Sequence, residues 1–271
     1  METAKDKVIL ITGASSGIGK ACAIHLAQNN YIVFGTSRKI NKLTLTEQGF
    51  YLLPMNVTDT NSIQETVLQI IKDKGRIDVL INNAGFGIAG PIVETSDEEA
   101  LMQFDVNFFG QFRVTKTVLP HMREQKAGLI VFISSLAAEI GLPYQAFYSA
   151  SKAALNNFAE ALQMECPFIS VVVVEPSDYK TAFNDNRILI KAYGPKSLYY
   201  ENCQRVIKKQ IEFESKGSEP KEIAELILKI IRRKRKKFYY GIGRDAKLLL
   251  TLSKVLPRRF LLKEVAKHYG L

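Results

Sequence analysis

The sequence predicts a doubly wound parallel α/β sheet, built as one domain with a basic helical extension at its C-terminal end. Three observations carry this expectation. Short apolar, β-branched runs alternate with segments of helical period along most of the chain. The first run leads straight into a glycine-rich turn and a helix. With 271 residues, 46% hydrophobic and 24% charged, the chain has enough for one sizeable core and is not of disordered composition.

Residues 8–12 read as a buried strand, 17–29 as a helix, 31–36 and 51–53 as two further strands. Ile63, Val67, Ile70 and Ile71 recur at helical spacing within 60–72, and 77–81 is again a strand. Residues 96–122 form a long helix with a kink expected near Gly110. A strand (129–134), a helix (148–165) and a strand (170–175) follow. Such alternation calls for a parallel sheet covered by helices on both faces. Residues 178–218 show no clean period and hold Tyr179, Phe183, Tyr193, Tyr199 and Tyr200. They form either a lid over a substrate or a peripheral pair of helices. Next come a helix (220–231) and an edge strand (238–241). Leu248, Leu249, Leu252, Val255 and Leu256 mark one amphipathic helix that Pro257 ends, and 258–269 a second.

Cys22, Cys166 and Cys203 are odd in number and far apart, which excludes a disulfide framework and fits a reducing compartment. His25, His121 and His268 are equally scattered, so no metal site is expected. No stretch has the length and apolarity of a membrane span, and no secretory signal is visible. The net charge of +10 is uneven. Residues 221–271 hold fifteen Lys or Arg against four Asp or Glu, so the tail alone is +11. Residues 232–237, RRKRKK, are its core, and their asymmetry points to an anionic partner.

The glycine turn, TGASSGIG at 12–19, has the spacing G-x-x-x-G-x-G. Glycines there let the backbone approach a pyrophosphate at the positive end of a helix. It is neither G-x-G-x-x-G nor a P-loop, since position 18 is isoleucine. Between Asp6 and Glu47 there is no acidic residue, and the second strand ends Thr36-Ser37-Arg38-Lys39. A carboxylate at that place holds a ribose 2′-hydroxyl, whereas a guanidinium grips a 2′-phosphate. NADP(H) is therefore the expected cofactor. Tyr148 and Lys152, four apart, share one helix face. A lysine cation beside a phenol favours the phenolate and suits it to proton transfer.

Taken together, these motifs resemble a short-chain dehydrogenase/reductase of the classical type, with a Rossmann-type fold, over roughly residues 6–182. The resemblance rests on TGASSGIG, on Asn82-Asn83-Ala84-Gly85, on Asn107, on Ser134-Ser135, and on Tyr148-x-x-x-Lys152. It implies that Ser135, Tyr148, Lys152 and Asn107 are catalytic: Ser135 orients the substrate oxygen, Tyr148 exchanges the proton, and Asn107 anchors a water relay behind Lys152. Ser135 is chosen by register, thirteen residues before Tyr148, and Ser134 reads as structural. Gly13, Ser15, Ser16, Gly17, Ile18, Gly19, Ser37, Arg38, Asn56, Val57, Asn83, Ala84, Gly85, Tyr148, Lys152, Pro176 and Thr181 are expected to bind the cofactor. Two positions depart from the family pattern. Asn56 replaces an aspartate that receives the adenine amino group, and Ser177 replaces a glycine after Pro176.

The expected activity is hydride transfer between NADP(H) and a carbonyl or alcohol carbon of a hydrophobic small molecule of steroid, retinoid or lipid type. The competing readings are a 3-ketoacyl thioester reductase and a non-enzymatic NADP-binding regulator. Residues 1–241 read as the dinucleotide-binding catalytic domain with its lid at about 178–218, and 242–271 as the basic amphipathic tail. The tail's apolar faces either pack on the domain or a subunit, or rest on an anionic membrane surface. A homodimer or homotetramer in the cytoplasm, with peripheral membrane contact through the tail, is expected. No recognition motif for nucleic acid accompanies the charge.

Overall fold

The structure, a computed structural model, describes residues 7–181, 187–244 and 246–271. Phe183 and residues 1–6 lie outside these, as do the side chains of Lys247, Leu248, Leu249 and Lys254. The chain begins with β1 (Val8–Ile11), α1 (Gly17–Gln28), β2 (Ile32–Ser37), a short β3 (Thr44–Leu45) and β4 (Tyr51–Pro54). α2 (Thr60–Lys74), β5 (Val79–Asn82) and β6 (Ile88–Ala89) follow, then α3 (Asp97–Phe104) and α4 (Gln111–Glu124). The rest is β7 (Leu129–Ile133), α5 (Ala146–Glu165), β8 (Ser170–Pro176), β9 (Ile188–Leu189), α6 (Tyr200–Ser215), α7 (Lys221–Arg232), β10 (Tyr239–Ile242), α8 (Ala246–Val255) and α9 (Arg258–Tyr269).

The main sheet is eight-stranded, in the order β10-β8-β7-β5-β1-β2-β4-β3. Every pairing is parallel except β3 with β4. From β1 the chain winds outward to β2 and β4, then crosses back to β5, β7, β8 and β10. The order reverses between β1 and β5, where such sheets open a crevice at their carboxyl ends. Strand residues alternate between two cores. Val8 and Leu10 join Ile63 and Val67 of α2, Val114 and Val118 of α4, and Leu155 of α5. Ile9 and Ile11 join Cys22 and Leu26 of α1 and Ile223 and Ile227 of α7. Both faces of the sheet are covered, as expected of strands that are apolar on both sides.

The expected long helix with its kink is α3 and α4 joined by a π-helical turn, Asp105–Gly110. A capping box of Ser96 and Glu99 starts α3. Gly110 is needed because a Cβ there would lie 2.9 Å from Val57 Cγ2, too close for an ordinary contact. Among the described residues, 178–218 contain one strand and one sixteen-residue helix. β9 pairs in parallel with β6, forming a small second sheet above the crevice.

The tail is docked. α8 lies against the sheet edge at β10, where Leu250 packs over Gly241 and a Cβ on that glycine would lie 2.3 Å from Leu250 Cδ1. α9 clasps α6: the rings of His268 and Phe213 stack at 4.6 Å, Arg205 Nη1 donates to the Gly270 carbonyl at 2.8 Å, and Lys209 Nζ donates to the His268 carbonyl at 3.0 Å. Leu261 is buried. Val255, Phe260 and Leu262 remain exposed. Among the described residues no helix is long and apolar enough to cross a membrane.

Candidate active site

The turn after β1 is held in a shape only glycine supports at little cost. Gly13 has φ +67° and Gly17 φ +54°, both in the left-handed region. Gly19 packs inward, where a Cβ would lie 2.4 Å from the Gly13 oxygen and 2.5 Å from Asn83 Nδ2. Asn83 clamps the turn from below, donating to the carbonyls of Thr12 at 2.9 Å and Gly13 at 3.1 Å. The Thr12 hydroxyl accepts from the amides of Asn83 and Ala84, both at 2.9 Å. Ser16 caps α1 without a side-chain hydrogen bond, and the first turn of α1 holds no acidic residue. This leaves the helix terminus suited to an anion.

Above the turn lies a cavity of about 310 Å³. It gathers Gly13, Ser15, Ser16, Gly17 and Ile18 from the turn, Ser37 and Arg38 from the end of β2, and Asn56 and Val57 after β4. Asn83, Ala84 and Gly85 line it after β5, together with Tyr148, Lys152 and Thr181. Four expected residues stand elsewhere. Gly19 lies behind the turn. Asn107 and Ser135 back the catalytic pair. Pro176 ends β8, in register with Ile242 on β10.

Asn56 lines the cavity, and its amide oxygen is engaged in the turn after β4. That oxygen already accepts from the Thr58 amide at 3.2 Å and the Thr58 hydroxyl at 3.0 Å, which occupies both lone pairs. The Asn–Val–Thr order closes a side-chain turn that the isolated residue type does not reveal.

Tyr148 and Lys152 project from the buried face of α5. Lys152 is buried and its Nζ donates to the Ile133 carbonyl at 2.8 Å. Burial lowers its ammonium to about 8. Tyr148 is pushed up to about 12, chiefly by burial, while a hydrogen bond with Ser135 pulls the other way. Burial thus favours the neutral phenol, the form that can donate a proton. Asn107 is fully buried in the π turn. Its side-chain amide accepts from the Phe86 amide and donates to the Phe86 carbonyl, each at 3.0 Å, and donates to Ser151 Oγ at 3.3 Å. Gly85 makes room here, since a Cβ on it would lie 3.1 Å from Asn107 Oδ1 and 3.8 Å from Lys152 Nζ.

Several cavity residues carry no motif signal: Met55, Phe86, Met102, Val106 and Ile188. Thr36 and Ser134 matter more. Both line the cavity, and both have buried hydroxyls with no protein partner. Ser134 was expected to be structural; it faces the cavity, while Ser135 caps the following turn by accepting from the Ala137 amide at 3.1 Å. The site therefore fits a nicotinamide dinucleotide on its own geometry. It has a glycine cradle, an uncapped helix terminus, unpaired hydroxyls, and Arg38 and Lys39 on a wall that carries no carboxylate among the described residues.

Comparison with known proteins agrees. The chain matches the short chain dehydrogenase family model over residues 7–189, and it belongs to that family. It is 42% identical over 254 residues to the 3-ketodihydrosphingosine reductase of Bacteroides thetaiotaomicron, with 92% of each chain covered. A short-chain dehydrogenase from Streptomyces avermitilis superposes with TM-score 0.80 at 30% identity, covering 98% of this chain and 97% of that one. ElxO, solved with NADP bound, superposes with TM-score 0.69 at 26% identity, covering 86% and 95%. The protein is an oxidoreductase that acts on CH–OH or C=O groups with a nicotinamide cofactor.

Proposed function

We propose that the protein is an NADP(H)-dependent reductase of a long-chain lipid ketone, of the kind represented by 3-ketodihydrosphingosine. The observation that carries the substrate class is the 42% identity, across 92% of both chains, to a reductase named for that lipid. Arg38 and Lys39 beside a carboxylate-free cavity wall support NADP(H) over NAD(H).

Gly13, Ser15, Ser16, Gly17 and Ile18 would hold the pyrophosphate, Ser37 and Arg38 the 2′-phosphate, and Val57, Asn83, Ala84 and Gly85 the adenosine side. Asn56 fixes the turn beneath it. Tyr148, Lys152 and Thr181 would border the nicotinamide end, and Pro176 and Gly19 shape the walls from behind. When bound, the nicotinamide supplies the hydride. Ser135 orients the substrate oxygen next to the phenol, and Tyr148 donates the proton to that oxygen. Lys152 places positive charge beside the phenolate so formed; each pKa unit of such preference is worth about 1.4 kcal/mol. Asn107 fixes the π turn behind Lys152, from which a water relay restores the proton. Ser134 adds a second hydroxyl toward the same space.

Residues 1–241 act as the catalytic domain and 242–271 as the tail. Exposed Val255, Phe260 and Leu262, interleaved with Arg258, Arg259 and Lys263, support a peripheral contact between tail and membrane on the cytoplasmic side, where a lipid substrate resides. Exposed Phe109 and Phe112 support assembly as a homodimer or homotetramer. The test is NADPH consumption with 3-ketodihydrosphingosine beside a ketosteroid, retinal and acetoacetyl thioester. Turnover of the thioester alone would replace this reading with a 3-ketoacyl thioester reductase. Cofactor binding without turnover of any of them would leave a regulator.

A further inference from the structure

α6 turns a graded face toward the catalytic side. Cys203 and Ile207 cluster with Ala89 and are packed by Tyr144 and Tyr193. Further along the same face stand Gln210 and Glu214, three and seven residues beyond Ile207. Gln210 is 4% exposed. Its Nε2 donates to the Pro143 carbonyl at 3.3 Å. A carbonyl can only accept, so this contact fixes the amide orientation. Gln210 Oε1 is then buried with no hydrogen bond. Glu214 gives Oε1 to an ion pair with Arg187, and its Oε2 is likewise buried with no hydrogen bond. Two buried acceptors on one helix face, both unpaired, carry a desolvation cost that a ligand donor would remove.

Their surroundings tie them to the reaction centre. Pro143 belongs to the loop that leads into α5 just before Tyr148. Arg187 precedes Ile188, which lines the cofactor cavity. Gly217, just past α6, would bring a Cβ to 2.5 Å from the Asp178 carbonyl oxygen, so the helix end sits against the segment that follows β8. The Tyr148 phenol is itself within reach of the charges on Glu214, Arg187 and Asp178. Burial lifts the Glu214 carboxyl to about 7, Arg187 pulls it down, and Asp178 raises it.

We propose that Gln210 Oε1 and Glu214 Oε2 together bind a primary ammonium group carried beside the substrate carbonyl, which makes the protein selective for amino ketone lipids. The proposal rests on the lipid-ketone reading above. An ammonium offers three donors and no acceptor, which matches two open acceptors. A ketone without the amine leaves both unpaired, and buried polar sites reject such analogues strongly. Cys203, Ile207 and the tyrosines would then meet the apolar part of the molecule.

The experiment compares kcat/KM for 3-ketodihydrosphingosine and for the 1-hydroxy-3-ketone of equal chain length that lacks the amine. Wild type is expected to favour the amino ketone. In Gln210→Met the ratio of the two values is expected to fall ~10- to 100-fold, the loss of a hydrogen bond to a charged group. Gln210→Glu is expected to keep or raise it. Glu214→Gln is expected to lower it as well; if loss of the Arg187 pair prevents folding of that variant, the two Gln210 variants decide alone. Wild type reducing both ketones equally, or Gln210→Met lowering both rates in proportion, overturns the ammonium site and leaves the lipid-ketone reading standing. Wild type reducing neither ketone overturns both.

Discussion

The Lys152 ammonium stands 5.9 Å from the centre of the Tyr148 ring and donates at 2.8 Å to the carbonyl of Ile133, the last residue of β7. Sheet and helix thus fix the lysine independently of the tyrosine. The hydroxyl of Tyr148, hydrogen-bonded to Ser135, can be altered without moving the cation.

Tyr148→Phe is accordingly expected to keep the ring and the cofactor site. Turnover should fall at least ~10²-fold, as for loss of a general acid, with the NADPH dissociation constant within a few-fold of wild type. Stopped-flow reduction together with fluorescence titration of NADPH measures both. Near-normal turnover would remove Tyr148 from the chemistry.

Lys152 gives a pH signature. Burial holds its ammonium at about 8, below the ~10.4 of an unfolded chain. Below pH 8 both states are protonated and the folded protein bears the full cost of the buried charge. From pH 8 to 10 the unfolded state binds more protons, so stability rises with pH. Lys152→Met should be more stable than wild type at pH 7, and the difference should shrink by pH 10. Urea unfolding at both pH values checks this, and a constant difference would contradict it.

Arg38→Asp exchanges attraction for repulsion at the expected 2′-phosphate. Binding of NADPH should weaken by at least ~10-fold, while NADH binding weakens less or improves. Equal changes in the two dissociation constants would show that Arg38 does not read the phosphate.

Gly19→Ala places a methyl where the Gly13 oxygen would be 2.4 Å away. Overpacking of this kind costs about 1–3 kcal/mol and must shift the turn. A lowered melting temperature and at least ~10-fold weaker cofactor binding are expected. Wild-type affinity would mean that the turn yields without harm.

For the tail, flotation with anionic phosphatidylserine vesicles is expected at low salt, declining as salt rises. Neutralising residues 232–237, of which Arg232, Arg233, Lys234, Arg235 and Lys237 are exposed, should reduce it further. Each basic residue at such a surface contributes ~1 kcal/mol. Absence of flotation at low salt would assign the charge to solvent.

The regular elements were legible because burial on both sheet faces leaves near-continuous apolar runs, as in Val8–Ile11 and Leu129–Ile133. The glycine turn and the Tyr148–Lys152 pair were legible because backbone approach and helix spacing limit which residues serve. Neither β6 nor β9 was, since two-residue strands leave no period and exist only through each other. Ser134 and Ser135 are neighbours at a strand end, and strand alternation cannot tell which of the two faces a cavity. The turn that Asn56 closes with Thr58 carries no period by which a sequence would show it. The tail's leucines were ambiguous because packing and lipid insertion ask for the same pattern. Leu261 is buried and Leu262 exposed, so adjacent leucines went opposite ways.

The grip of α9 on α6 also sets an order of events during synthesis. α9 is translated after every strand of the sheet. A nascent chain that has released β10 from the ribosome already possesses the glycine turn, the clamp by Asn83 and the catalytic helix. It still lacks α8 against the sheet edge and the clasp of α9 on α6 through His268 and Gly270. Domains form from the N-terminal side as they emerge, at about 5–20 residues per second. The glycine turn and the catalytic helix are therefore assembled before α9 can dock on α6.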